Sequence, residues 1–129
     1  MADERKIGIV IVDHGSRVEQ SNRMLEEVVA SFAKRFAKRY SIVEAAHMEL
    51  TEPSIETALG RCIERGANCV VVCPYFLGPG KHWTQDISRL AGEAARKYPG
   101  VEHRVAPTLG IDDLILDLLN KRLEECLPE

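Results

Sequence analysis

Ile7-Gly8-Ile9-Val10-Ile11-Val12-Asp13-His14-Gly15-Ser16-Arg17 is the stretch that decides the fold. Its first six residues are apolar without a break. An unbroken run of this length reads as a strand buried on both faces, the condition of a parallel sheet, and not as the in-out alternation of a half-exposed strand. The run ends in a carboxylate, an imidazole, a glycine, a hydroxyl and a guanidinium in succession, five groups that a mere connection does not need. A helical pattern follows over residues 21–39. Leu25, Val28, Val29, Phe32 and Phe36 recur at spacings of three and four, with Arg23, Glu26, Glu27, Lys34 and Arg35 opposite. Ser16 with Glu19 also reads as a capping box, which would start that helix earlier.

Three more strand-helix units follow. The second strand covers residues 41–47 or 48, and Glu44 within it points to a place near a sheet edge. The second helix has Pro53 in its first turn, after Thr51 and Glu52, and buries Ile55, Ala58, Leu59, Cys62 and Ile63 before ending at Gly66. The third strand, residues 68–76, is the most apolar and therefore central, with Pro74 loosening its pairing near the end. The third helix carries Ile87, Leu90, Ala91, Ala94, Ala95 and Tyr98 and stops at Pro99-Gly100. A fourth strand over residues 101–106 leads to a last helix over residues 111–126, whose Leu114, Ile115, Leu118, Leu119 and Leu123 form a stripe expected to be buried. Four such repeats predict one α/β domain over residues 1–129. Its form is a four-stranded parallel sheet with helices on both faces, joined by right-handed crossovers.

Bulk properties narrow the function. The 17 basic and 20 acidic residues give a net charge of -3, which leaves no general nucleic-acid footprint, so an anionic ligand must meet a local basic patch. No run approaches the ~20 apolar residues of a membrane helix. The polar start, Met1-Ala2-Asp3-Glu4-Arg5-Lys6, lacks a signal-peptide core. The expectation is a soluble, cytoplasmic protein without nucleic-acid or membrane partners. None of Cys62, Cys69, Cys73 and Cys126 forms a CxxC pair. Cys69 and Cys73 stand four apart on one strand, too far for one metal or one disulfide. The cysteines read as small hydrophobes in a reducing compartment.

In such sheets ligands bind outside the carboxyl ends of the strands. The segments leaving those ends are residues 13–17, 47–51, 77–82 and 107–110, and they carry His14, His47 with Glu49, and His82. Imidazoles with a carboxylate hold a divalent transition metal while leaving positions open, and imidazole moves protons near neutral pH. The third segment's glycines let the backbone approach a large flat ligand, and Arg17, Lys81 and Arg89 are candidates to meet ligand carboxylates. Each residue has a plainer reading on its own. A strand-end histidine is often a hydrogen-bonded cap, Glu49 and Glu52 suit the start of a helix, Thr51 suits its N-cap, and His103 suits a solvated face. Convergence on one rim favours function. Ser16 beside His14 leaves a hydrolase reading open, weakened by the lack of an orienting acid beyond Asp13.

These residues resemble the class II chelatases of tetrapyrrole biosynthesis. The resemblance runs from residue 7 to about 126 and rests on three motifs in order: VDHGSR at residues 12–17 followed by Asn22, HMELTEPSI at 47–55, and PYFLGPGKHWTQDI at 74–87. It implies a chelatase-like fold and ATP-independent insertion of a divalent metal into a polycarboxylate tetrapyrrole. The leading implied reaction is Fe2+ into sirohydrochlorin to give sirohaem. Cobalt or nickel insertion, or a non-catalytic tetrapyrrole or metal carrier, are the alternatives. No organic cofactor is implied, because the metal is a substrate. His14 is implied as metal ligand and pyrrole base, Glu49 and His82 as further ligands, and Thr51, Leu77, Gly78, Pro79, Gly80, Lys81 and His82 as macrocycle contacts. Chains of this length resemble half of the longer two-domain chelatases, which implies a homodimer. The motif wording is similar to plant and some bacterial ferrochelatases, which implies the plastid stroma if the source is a plant or alga. Plant members carry extra C-terminal cysteines for an iron–sulfur cluster where this chain has only Cys126, and Ser88 stands where many relatives have proline.

Overall fold

The unbroken apolar run becomes the spine of a parallel sheet. In the computed structural model, which describes residues 4–78 and 83–128 without the side chains of Trp83 and Thr84, it forms β1, Ile7–Asp13. β2 (Ile42–His47) pairs with one side of β1 and β3 (Cys69–Pro74) with the other. β4 (Glu102–Val105) adds to β3, giving the order β2-β1-β3-β4, all parallel. The strands interrupted by charge, β2 with Glu44 and β4 with Glu102 and Arg104, take the edges, where side chains reach water.

Successive residues of β1 feed opposite faces, as strand geometry requires. Val10 and Val12 join Leu59, Val70, Val72 and Ile87 beneath α2 (Ile55–Glu64) and α3 (Trp83–Ala95). Ile9 and Ile11 join Leu25, Val29 and Val43 beneath α1 (Glu19–Arg35). Leu25 and Leu59 are almost wholly removed from water, and burying each such side chain contributes about 1.5–3 kcal/mol.

Local chemistry sets the helix ends differently from the sequence reading. α1 begins after Val18, without a side-chain cap, because Ser16 Oγ accepts the Val18 N–H instead of capping the helix. It stops at Arg35, short of residue 39, where the Tyr40 N–H returns to the Phe36 carbonyl and the Tyr40 ring stacks over Phe32. α2 opens after Ser54, whose hydroxyl accepts the Thr57 N–H, so neither Thr51 nor Pro53 has the expected place. Glu52 Oε1 accepts from the Ser54 N–H and the Thr57 hydroxyl, and these bonds, the Ser54 N–H first, hold its carboxyl below the usual range.

The last helix departs most. α4 (Asp113–Cys126) starts where Asp112 accepts the Leu114 N–H, but no residue of it is buried. Leu114 is 77% exposed, Leu119 58% and Leu123 59%. Among the described residues α4 lies along none of the other elements, so nothing removes its leucines from water.

Candidate metal centre

The pairing of β1 with β2 continues beyond both strands. The Met48 N–H donates to the Asp13 carbonyl at 2.9 Å and the Glu49 N–H to the His14 carbonyl at 3.1 Å. His14 and Glu49 are thereby held side by side at the carboxyl edge of the sheet. Gly15 makes this approach possible. Its φ is +88°, and a Cβ there would stand 1.9 Å from the Glu49 carbonyl oxygen. Asn22, in the first turn of α1, closes the turn: its Oδ1 accepts the Ser16 N–H at 2.9 Å and its Nδ2 donates to the Ser16 carbonyl at 2.8 Å. On the other flank the Tyr75 N–H donates to the Val12 carbonyl at 2.7 Å, so the segment after β3 also borders His14.

The His14 imidazole is half-buried and lies against the Phe76 ring, with centroids 4.9 Å apart and planes tilted by 30°. Phe76 also lines an apolar hollow of about 230 Å³ with Pro74, Ile87, Val105, Pro107 and Thr108. The far wall is tied in by the Leu109 N–H to the Phe76 carbonyl and the Gly110 N–H to the Leu77 carbonyl. The His14 ring thus packs on Phe76, a wall residue of an apolar recess that is smaller than the ~300–1,000 Å³ enclosing a typical organic ligand.

Beneath this turn lies a pair that sequence reasoning missed. His47 Nδ1 and Asp13 Oδ1 are 2.6 Å apart, and the same oxygen accepts the Gly15 N–H at 2.9 Å. His47 is 1% exposed and is the one buried polar or charged residue among the described residues. It therefore does not join the rim beside Glu49. Both residues were visible as strand-end groups, but their pairing requires the strand order and the register that places Asp13 opposite His47.

Residues 8–126 match the profile of the CbiX family. The chain belongs to the CbiX family. It is 49% identical over 120 residues to the chloroplastic sirohydrochlorin ferrochelatase of Arabidopsis thaliana, covering 93% of this chain and 52% of that protein. It is 31% identical to the sirohydrochlorin cobaltochelatase of Sulfolobus acidocaldarius, covering 94% of this chain and 93% of that one. Among solved structures, SirB from Bacillus subtilis with Fe3+ superposes with a TM-score of 0.83 at 28% identity, over 95% of this chain and 48% of that one. A CbiX protein from Marinobacter aquaeolei VT8 superposes with a TM-score of 0.73 at 26% identity, over 92% and 98%. The chain therefore spans about half the length of the plant and Bacillus relatives and nearly the whole of the other two.

Within this CbiX-family chain the other expected residues are placed unevenly. Glu49 and Arg17 are exposed on the rim, as are Leu77 and Gly78. Thr51 is half-buried, its hydroxyl donating to the Glu52 carbonyl at 3.4 Å. Pro79, Gly80, Lys81 and His82 lie outside the described residues. Among the described residues no three His, Cys, Asp or Glu side chains gather as a metal set, and His82, one of the three expected ligands, lies outside them. Arg89 is not brought to the rim. It pairs with Asp86 and Glu93 on its own helix and borders a depression with Tyr98, Gly100 and His103, where β4 begins. Burial pushes the Cys62 thiol up to about 12, which removes it as a thiolate ligand near neutral pH. No helix among the described residues is long and apolar enough to cross a membrane.

Proposed function

We propose that this CbiX-family chain inserts a divalent metal ion into sirohydrochlorin without ATP, with Fe2+ giving sirohaem, and that it acts as a homodimer of one chelatase domain, residues 1–129, per subunit. The observation that carries the reading is the backbone bond from the Glu49 N–H to the His14 carbonyl. It sets a carboxylate position beside an imidazole at the ligand-binding edge of the sheet, in a chain 49% identical to a named ferrochelatase.

Metallation removes two pyrrolic protons and exchanges the ion's water for ring nitrogens. A carboxylate and neutral imidazoles suit Fe2+, Co2+ and Ni2+ and leave positions through which the ion departs. In this reading Glu49 and His14 receive the ion with His82. One imidazole is not ligand and base at once, so His14 and His82 divide the roles of ligand and base or take them in sequence, and the free imidazole passes the two pyrrolic protons to water one after the other. The apolar hollow beside Phe76 receives an edge of the macrocycle. Thr51, Leu77, Gly78, Pro79, Gly80, Lys81 and His82 contact its face, and Arg17 meets its carboxylates. No organic cofactor takes part. The cobaltochelatase relative of nearly equal length supports cobalt as the second reading, since these donors do not choose between the ions.

Three observations support the dimer. The leucine face of α4 is uncovered, the hollow of about 230 Å³ is too small to enclose the ligand, and two relatives are about twice as long as this chain. A second copy supplies the apolar partner that α4 lacks. Free thiols and Fe2+ chemistry suit a reducing compartment, the cytoplasm or a plastid stroma.

Anaerobic metallation, followed by the absorbance of sirohydrochlorin with Fe2+, Co2+ and Ni2+ in turn, tests the reading. Wild type is expected to exceed the uncatalysed rate with Fe2+, and His14→Ala to lose at least about 100-fold. Binding of the macrocycle without acceleration would make the protein a carrier. A wild-type rate in the alanine variant would remove His14 from the chemistry.

A further inference from the structure

The one buried polar side chain among the described residues lies under the rim, and the metal-insertion reading makes no use of it. His47 is 1% exposed, its Nδ1 is 2.6 Å from Asp13 Oδ1, and its Nε2 is buried without a hydrogen-bond partner among the described residues. A nitrogen left in that state is a cost that an apolar ring of similar size would avoid. Packing alone therefore does not account for a histidine here. What the ring does is hold a carboxylate. Asp13 Oδ1 receives the His47 ring nitrogen and the Gly15 N–H together. The oxygen accepts from both when the ring presents Nδ1–H. The His47 N–H is itself anchored on the Pro53 carbonyl at 2.8 Å, which leaves the ring little freedom to follow a moving turn.

We propose that His47 and Asp13 are a positioning pair that sets the turn carrying His14 and, through Gly15, its distance from Glu49. The inference rests on the proposed role of His14 and Glu49. The chain of contacts is short: Pro53 fixes the His47 backbone, His47 fixes the Asp13 carboxylate, and that carboxylate fixes the Gly15 amide. Gly15 then sits under the Glu49 carbonyl, where no side chain fits. Neither member touches the ion or the macrocycle in this scheme. Their effect is to keep a two-strand ligand set at one spacing, because a ligand pair on separate strands holds an ion well only when its geometry is held by an outer layer of hydrogen bonds.

Three substitutions separate positioning from packing. In His47→Asn the Nδ2 amide occupies the place of the imidazole Nδ1. In His47→Gln the amide falls near Nε2, and in His47→Phe the ring volume stays without any donor. Two readouts are taken: amide hydrogen exchange at Gly15, and titration with Co2+ alone followed by its visible absorption. For the phenylalanine and glutamine variants, Gly15 exchange is expected to rise about tenfold and Co2+ affinity to fall about 10–100-fold. For the asparagine variant both are expected within about threefold of wild type. Unchanged Gly15 exchange in His47→Phe and His47→Gln, or indistinguishable asparagine and glutamine variants, would overturn the proposal. If the phenylalanine variant fails to fold, the asparagine–glutamine contrast decides alone. Co2+ binding that survives His14→Ala would instead count against His14 as a ligand, while the exchange data would still report on the pair.

Discussion

Replacing Gly15 by alanine tests the site through its tightest contact. The new Cβ would lie 1.9 Å from the Glu49 carbonyl oxygen, where contacts under 3.0 Å essentially never occur, so the two segments must part by at least about 1.1 Å. The oxygen is backbone, and rotation of a side chain cannot relieve the clash. Alanine at φ +88° carries a further cost of about 1–2 kcal/mol. Parting the segments also loses the Glu49 N–H to His14 carbonyl bond, a contribution of about 0.5–1.5 kcal/mol. The expected loss of stability is then about 1.5–3.5 kcal/mol, read from urea unfolding with an unchanged slope. The functional loss is of similar size, because a displacement of about 1 Å between positioned groups costs on the order of 100-fold, about 2.7 kcal/mol. Metallation rate and Co2+ affinity should fall together. A folded alanine variant within about 0.5 kcal/mol of wild type, metallating at a rate within threefold of it, would refute the argument that this close approach builds the site.

Other expectations are independent of that contact. Sedimentation should show a dimer for wild type and a monomer with unchanged helical circular dichroism for the double variant Leu118→Lys, Leu119→Lys, because α4 contributes no buried residue to its own subunit. A dimer in the variant would move the interface elsewhere. Native protein should react with a disulfide reagent quickly at exposed Cys126 and only after unfolding at Cys62, whose thiol burial pushes up to about 12. Fast labelling of Cys62 would contradict the packing under α2. Glu52 is held below its ordinary value of 4.5 by the Ser54 N–H and the Thr57 hydroxyl. Its stabilising contribution is therefore present above that ordinary value and lost as pH falls through the lower folded value. Urea midpoints across that window should fall less steeply for Glu52→Gln, and parallel curves would deny the cap its charge.

The order of elements was legible because apolar runs and helical spacing are local signals. The bounds of β1 and the edge positions of β2 and β4 follow from them, Glu44 and Glu102 having no place in a covered strand. The meeting of His14 with Glu49 was legible at one remove, through the rule that ligands sit at the carboxyl ends of parallel strands. The Asp13–His47 pair was not, because it depends on which strands are neighbours and in what register. Arg89 was misplaced for a related reason: a helix runs the length of the strands, and only its rotation and height decide which end an arginine serves. The stripe on α4 was legible as an apolar side, but a stripe does not say whether it is covered, and its leucines stay exposed. The start of α2 turned on a net of three side chains, Glu52, Ser54 and Thr57, that outweighed the proline.

Asn22 has a mechanical consequence. Its amide meets both backbone groups of Ser16, so one side chain serves the turn as a single rung of a ladder. Because Asn22 belongs to the opening turn of α1, and Leu25 and Val29 pin that helix to the sheet, the segment bearing His14 is tied to α1 as well as to β2. For it to swing outward, both Asn22 bonds must break or the amino end of α1 must move with it. Fraying at that helix end and exposure of the imidazole are thereby coupled.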